Sequence, residues 1–118
     1  MAQIINTSLI IGLGGFIGTI FRFLISSLIE KSFATSFPIG TLLVNLIGCF
    51  LIGLVSGYFS QKTGDQTQLF FFLTIGILGG FTTFSAIAID SQLFIENGEI
   101  LKMLFYITTQ TIVGITLC

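Results

Sequence analysis

Apolar residues along this chain form four long stretches that are separated by short polar turns. The stretches cover about residues 4–29, 40–59, 69–89 and 100–118. A helix rises about 1.5 Å per residue, so a hydrocarbon core of about 30 Å is crossed by about 20 apolar residues. The pattern therefore predicts an all-α integral membrane protein with four transmembrane helices, forming a single domain over residues 1–118.

Polar and helix-ending residues mark the boundaries of these stretches. Glu30 and Lys31 follow the first one, and Pro38 suits the first position of the second helix. Residues 61–66 are polar, and Asn97-Gly98 is a strong turn signal before the fourth stretch. Four spans joined in this way place both termini on the same side of the membrane.

The third stretch contains residues that do not favour a continuous helix. Gly76, Gly79 and Gly80 lie within five residues of each other, and Thr82 and Thr83 follow. A break inside a span frees backbone groups that lipid cannot satisfy, and channels and transporters place ion sites at such breaks. Glycines at this spacing also suit close helix packing. The polar residues after the glycines favour the first reading, a third helix broken at mid-membrane.

The composition supports a membrane protein and excludes several functions. The chain is 53% hydrophobic and 8% charged, whereas about 25% of residues in soluble domains are charged. Its four Lys and Arg residues form no basic patch, so nucleic acid is not expected as a partner. The chain has no His, the commonest general base, and its carboxylates lie near span ends or in loops. We therefore predict that it is not an enzyme.

The chain is expected to associate with a second copy of itself. Four spans alone enclose little interior, and glycine pairs at four-residue spacing suit tight contacts between helices. The loop cations are nearly balanced, with Lys62 on one side and Lys31 and Lys102 on the other. This balance gives little orientation signal, so copies inserted in opposite directions are expected to pair as an antiparallel dimer.

Polar residues within the apolar stretches are the candidates for function. Arg22 costs about 2.5–3.5 kcal/mol inside a span, and it either extends to the headgroups or attracts anions in an aqueous vestibule. Asn45 is either a hydrogen-bonding link between helices or a donor that lines a pore. Residues 106–111 include several hydroxyl and amide side chains, which either line a pore or bond back to their own helix.

Three sequence blocks resemble the Fluc (CrcB-type) fluoride channel family. Residues 14–22, GGFIGTIFR, are similar to the family's GGxxGxxxR in the first span. Residues 38–48, PIGTLLVNLIG, are similar to PxGTLxVNxxG at the start of the second span. Residues 76–85, GILGGFTTFS, are similar to GxxGGxTTFS in the third span. The blocks occur in the family's order on three of the four spans.

The resemblance implies an antiparallel, dual-topology homodimer in the cell (plasma or inner) membrane that exports fluoride passively. It also implies two narrow fluoride pores and one structural sodium ion at the dimer centre. This sodium is not transported. By motif position, the main-chain oxygens of Gly79 and Thr82 would hold it.

The resemblance also implies which residues meet fluoride. Phe84 corresponds to the first phenylalanine of the family's pore-lining pair and Asn45 to its pore asparagine, with Thr83 and Ser85 beside them. The family commonly continues TTFSTF, whereas Ile87 stands here at the position of the second phenylalanine.

Two other functions compete with this prediction. A small dual-topology, proton-coupled drug exporter has a similar length but needs an ionisable carboxylate within a span. Asp90, at the end of the third stretch, is the nearest candidate. A membrane subunit that only packs against other proteins would explain the glycines but not the Thr-Thr-Phe-Ser sequence.

Overall fold

The computed structural model describes residues 1–62 and 67–118, which form helices and short connections. Helix α1 covers Ala2–Phe33 and helix α2 covers Ile39–Lys62. Both continue beyond the apolar stretches from which they were predicted. Of the predicted polar turn at 61–66, residues 63–66 lie outside the described residues.

The third span, Gln68–Glu96, and the fourth, Ile100–Leu117, are built from shorter segments. The third contains α3, a π-helical segment, α4 and α5, and the fourth contains α6, a second π-helical segment and α7. Their bounds are α3 Gln68–Phe71, π-helix Phe72–Leu78, α4 Gly79–Phe81, α5 Phe84–Glu96, α6 Ile100–Thr108, π-helix Thr109–Val113 and α7 Gly114–Leu117.

All four spans are long and apolar enough to cross a membrane. The predicted all-helical, multi-pass membrane protein with four spans is therefore confirmed. The third span ends later than the sequence indicated, because α5 continues to Glu96. Asp90 thus lies inside a helix and not at its end, which corrects its predicted position.

Close backbone contact joins α1 to the third span at two pairs of glycines. A Cβ atom built on Gly14 would lie 2.8 Å from the carbonyl oxygen of Phe72, and one on Gly76 would lie 2.9 Å from that of Ile11. A Cβ atom on Gly80 would meet the Gly15 carbonyl oxygen at 2.5 Å. Any side chain at these positions would force the two backbones apart, so the packing interpretation of the glycines holds for this face.

The same glycines are helical, and the helical path is interrupted only after them. Gly76 lies in the π-helical segment, and Gly79 and Gly80 lie in α4. Thr82 and Thr83 then adopt extended backbone conformations, with φ and ψ of −84° and 155° and of −152° and 122°. Low helix propensity at Gly76 and Gly80, used to predict the break, is offset by the close packing of these two glycines against α1.

Aromatic side chains hold the ends of the spans together. The Phe37 ring, in the connection after α1, lies 5.7 Å from the Phe94 ring and 5.6 Å from the Tyr106 ring, the latter nearly perpendicular. At the opposite end, the Phe59 and Phe70 rings are 5.6 Å apart. The Phe37–Tyr106 pair is edge-to-face, an arrangement worth about 0.5–1.5 kcal/mol beyond the area that it buries.

The glycine contacts predict opposite effects for one substitution at two positions of α1. Gly14→Ala adds a Cβ against backbone atoms of the third span and should destabilise the protein by about 1–3 kcal/mol. Gly12→Ala is the matched control, because a Cβ there has nothing within 4 Å. It should stabilise α1 slightly through helix propensity. Unfolding in detergent, followed by circular dichroism, measures both effects, and equal stability of the two variants would contradict the packing.

Candidate ion site

The extended pair Thr82-Thr83 is held in place by one side chain of a neighbouring helix. Asn45 of α2 is 6% exposed, and its Nδ2 donates to the Thr83 carbonyl oxygen at 3.1 Å. The Thr83 N–H in turn donates to Asn45 Oδ1 at 2.7 Å. The amide therefore satisfies both main-chain polar groups of Thr83, which an unbroken helix would have paired internally.

The two threonines end one helix and begin the next. The Thr82 N–H and hydroxyl both donate to the Leu78 carbonyl oxygen, at 2.9 Å and 3.0 Å, which completes the last turn of α4. The Thr83 hydroxyl accepts from the Ala86 N–H at 3.3 Å and so caps the start of α5. Threonine is a preferred residue at this capping position. The local sequence thus favours an interruption at these two residues.

A cavity of about 260 Å³ opens beside the extended pair. All of its lining residues are uncharged, and four of the five predicted fluoride-contacting residues are among them. The lining consists of Asn45, Cys49, Ile52, Thr82, Thr83, Phe84, Ile87 and Gln110. Ser85 is the fifth predicted residue and does not line this cavity, although its hydroxyl lies 3.0 Å from that of Thr83. We call this space the first cavity.

Gln110 is a lining residue that the sequence did not single out from its polar neighbours. It lies in the π-helical segment of the fourth span and is 7% exposed. Its Nε2 is buried and has no hydrogen-bond partner within residues 1–62 and 67–118. The adjacent Thr111 hydroxyl instead donates to the Ile107 carbonyl oxygen at 2.9 Å. Thr111 therefore bonds back to its own helix, whereas Gln110 lines the first cavity.

Arg22 lies in a second cavity on the other side of Thr83. This space of about 310 Å³ is lined by Thr19, Arg22, Phe23, Ser26, Thr41, Val44, Thr83 and Ala86. Arg22 Nε is buried and finds no hydrogen-bond partner in the described part of the chain. The guanidinium group is accompanied by several hydroxyl side chains, and Thr83 belongs to both cavities.

The main-chain oxygens predicted to hold sodium lie at the end of α4, beside the extended pair. The described residues contain no group of three or more His, Cys, Asp or Glu side chains suited to a metal ion. The Gly79 carbonyl would accept from the Thr83 N–H in a continuous helix, but that N–H donates to Asn45. Thr82 is extended, so its carbonyl also points away from a helical bond. Carbonyls released at a helix end are the type of ligand that sodium takes in transporters.

Asp90 is paired with a residue of the fourth span. The Tyr106 hydroxyl donates to Asp90 Oδ2 at 2.7 Å, and Tyr106 is completely buried. The sequence missed this contact because the two residues belong to different spans and no local pattern pairs them.

Comparison with known proteins places this chain beside fluoride channels. The family model described as "CrcB-like protein, Camphor Resistance (CrcB)" matches residues 9–118. The chain is 41% identical over 105 residues to the "Fluoride-specific ion channel FluC" of Aquifex aeolicus (strain VF5), covering 89% of this chain and 85% of that protein. It is 40% identical over 106 residues to the protein of the same name from Maridesulfovibrio salexigens, covering 90% and 84%. It is 44% identical over 100 residues to "Fluoride-specific ion channel FluC 3" of Methanosarcina barkeri, covering 82% and 73%.

The Asn45–Thr83 pair predicts a local loss of order when the amide is removed. Asn45→Ala leaves two partly buried main-chain groups of Thr83 unpaired and should cost about 1–3 kcal/mol for each one that water does not reach. Hydrogen exchange at the Thr83 amide should accelerate more than exchange in α1. Cys49→Ala, one turn along α2 and in the same cavity, is the matched control, because the Cys49 side chain makes no hydrogen bond to Thr83. Equal exchange in both variants would contradict this role of Asn45.

Proposed function

The chain belongs to the CrcB-like family, and from the geometry of its two cavities we propose that it is a passive, fluoride-selective ion channel. Membership confirms the resemblance found in the sequence blocks. The relatives described above are named as ion channels, in agreement with the prediction that this chain is not an enzyme. The observation that carries the proposal is the first cavity, in which amide donors and a phenyl ring surround an uncharged space.

Neutral N–H groups suit a small anion that must bind and then leave. Asn45 Nδ2 carries two hydrogens and uses one for the Thr83 carbonyl, so the second is available to fluoride. We assign a second donor group to the side-chain amide of Gln110, a residue that lines the same cavity. Binding by a few neutral donors, without a full positive charge, is weak enough to permit conduction.

The Phe84 ring contributes an edge of positive potential. An aromatic ring is negative on its face and positive at its rim, so a rim meets an anion favourably. Ile87 presents only aliphatic carbon at the position of the family's second phenylalanine. In this chain we therefore assign anion contact to Phe84 and the amides, with the Thr83 and Ser85 hydroxyls beside the route.

Arg22 is proposed to attract anions towards this route. Thr83 lines both the cavity of Arg22 and the first cavity. The two cavities are therefore neighbours, and the guanidinium group lies close to the proposed ion path. A fixed positive charge in a narrow vestibule raises the local concentration of anions. The hydroxyls of the second cavity would replace part of the water around an arriving ion.

We further propose that the functional unit is an antiparallel homodimer of dual topology. Phe84, the proposed pore residue, is 82% exposed in a single chain. An ion path lined by such an exposed ring is complete only when another protein surface covers the ring. A second copy of the chain would supply that surface. The near balance of loop cations between the two sides supports opposite insertion of the two copies.

A structural sodium ion at the dimer centre is part of the same proposal. The Gly79 and Thr82 carbonyl oxygens, released from helical bonding, are its proposed ligands. Two copies related by a two-fold axis would provide both pairs of oxygens, and one chain provides half of the set. Bound sodium would offset the cost of leaving these carbonyls unpaired in the membrane.

The proposed direction of transport follows from the membrane potential. Fluoride enters cells as the neutral acid and dissociates inside, so the anion accumulates there. A potential that is negative inside drives it outward by about 2.3 kcal/mol per 100 mV, and no pump is required. This role places the channel in the cell membrane, where the potential acts. The drug-exporter alternative gains no support from the relatives, which are named as fluoride-specific channels.

Liposomes that contain only this protein test the proposal. They should release fluoride, retain chloride and need no proton gradient, whereas an exporter would require one. Phe84→Ile should reduce fluoride efflux at least tenfold, a loss of about 1.4 kcal/mol in transition-state stabilisation, because it removes the ring rim and keeps the site apolar. Phe16→Ile, an exposed ring of α1 that lines neither cavity, should conduct normally. Chloride release at the rate of fluoride would exclude the mechanism.

The fourth span provides a second test with adjacent residues. Gln110→Leu preserves the approximate volume but removes the Nε2 donors from the first cavity, so fluoride efflux should fall. Thr111→Val is the matched control, because the Thr111 hydroxyl bonds back to its own helix. Efflux from proteoliposomes, normalised to protein incorporated, separates the two variants. Equal efflux would remove Gln110 from the proposed route.

A further inference from the structure

The two cysteines of this chain face each other across the contact between the second and fourth spans. Cys49 lies in α2, and Cys118 follows α7. The Cys118 thiol donates to the Cys49 carbonyl oxygen at 3.1 Å, so the Cys118 sulfur lies against the backbone of Cys49. No other cysteine exists in the sequence to compete for either of them.

Glycines on each side of this contact allow the two backbones to approach. A Cβ atom on Gly114 would lie 3.4 Å from Cys49 Sγ, and one on Gly53 would lie 2.9 Å from Cys118 Cα. A disulfide requires Cα atoms about 4.4–6.8 Å apart and side chains that point towards each other. Small residues opposite both cysteines are what permits such an approach between two helices.

We propose that Cys49 and Cys118 form a redox-sensitive dithiol that a peroxide oxidises to a disulfide within one chain. One thiolate sulfur attacks a peroxide oxygen, the O–O bond breaks, and a sulfenic acid and water result. The second thiol sulfur then attacks the sulfenic sulfur, the S–S bond forms, and the S–O bond breaks with loss of another water. Two thiols and one hydrogen peroxide thus give one disulfide and two waters.

This bond would act directly on the first cavity. Cys49 lines that cavity one helical turn after Asn45, so fixing its sulfur to Cys118 changes the lining and restrains α2 against α7. We expect oxidation to slow fluoride efflux for this reason. That expectation depends on the proposed function, whereas formation of the disulfide does not.

Intact-mass spectrometry tests disulfide formation independently of transport. Purified protein in liposomes is reduced, treated with hydrogen peroxide, denatured and exposed to a maleimide. The oxidised chain should weigh two hydrogens less than the reduced chain and should incorporate no maleimide. After treatment with dithiothreitol it should incorporate two maleimides, one at each cysteine. Its apparent unfolding temperature should also rise, because the bond closes a long loop.

Cys49→Ser and Cys118→Ser are the matched controls. Neither variant has a second thiol in its chain, so neither should lose two hydrogens, and peroxide should not raise its unfolding temperature. Maleimide labelling of both cysteines in peroxide-treated unmodified protein would overturn the proposal. A disulfide that instead joins two chains, seen as a doubled mass without reductant, would overturn it as well.

Efflux measurements separate this inference from the proposed function. Reduced protein that conducts fluoride and slows on oxidation, while peroxide-treated Cys118→Ser, whose altered residue does not line the first cavity, keeps its untreated rate, supports the link to the cavity. Fully oxidised protein that conducts as the reduced protein does would overturn that link. Reduced protein that does not conduct fluoride would contradict the proposed function, and the mass measurement would still decide the disulfide.

Discussion

The two hydrogen bonds between the Asn45 amide and the main chain of Thr83 are the constraint on which the site depends. In a membrane, each unsatisfied backbone group costs several kcal/mol, so an extended pair of residues inside a span requires a partner. Asn45 supplies a donor and an acceptor together. Thr83 lines both cavities, the one that contains Arg22 and the one that contains Phe84. The pairing with Asn45 therefore also holds in place the residue that the two cavities share.

The glycine contacts between α1 and the third span determine where Arg22 lies. Gly14 and Gly18 bring the α1 backbone against the π-helical segment and α4, and Arg22 follows one turn after Gly18. Arg22 and Thr83 therefore line the same cavity. Phe84, on the far side of Thr83, remains exposed in one chain. The proposed pore, sodium site and dimer share this property, because one chain supplies only part of each.

The sequence alone determined the class of the protein. Four apolar stretches with 8% charged residues allow no other arrangement than membrane-spanning helices, because unpaired backbone is excluded from lipid. The order of the three motif blocks was enough to identify the family. Thr82 and Thr83 were also recognisable as residues that end and cap helices, since that preference depends on neighbours within one turn.

The tertiary structure decided which residues face one another. Asn45 meets Thr83 across 38 positions of sequence, and no local pattern distinguishes such a link from a pore-lining amide. The same holds for Gln110, which lines the first cavity while the Thr111 hydroxyl next to it bonds back to its own helix. Gly76 and Gly80, which looked helix-breaking, are helical where α1 packs against them. Propensity and periodicity describe one segment at a time, whereas these outcomes depend on the close approach of two segments.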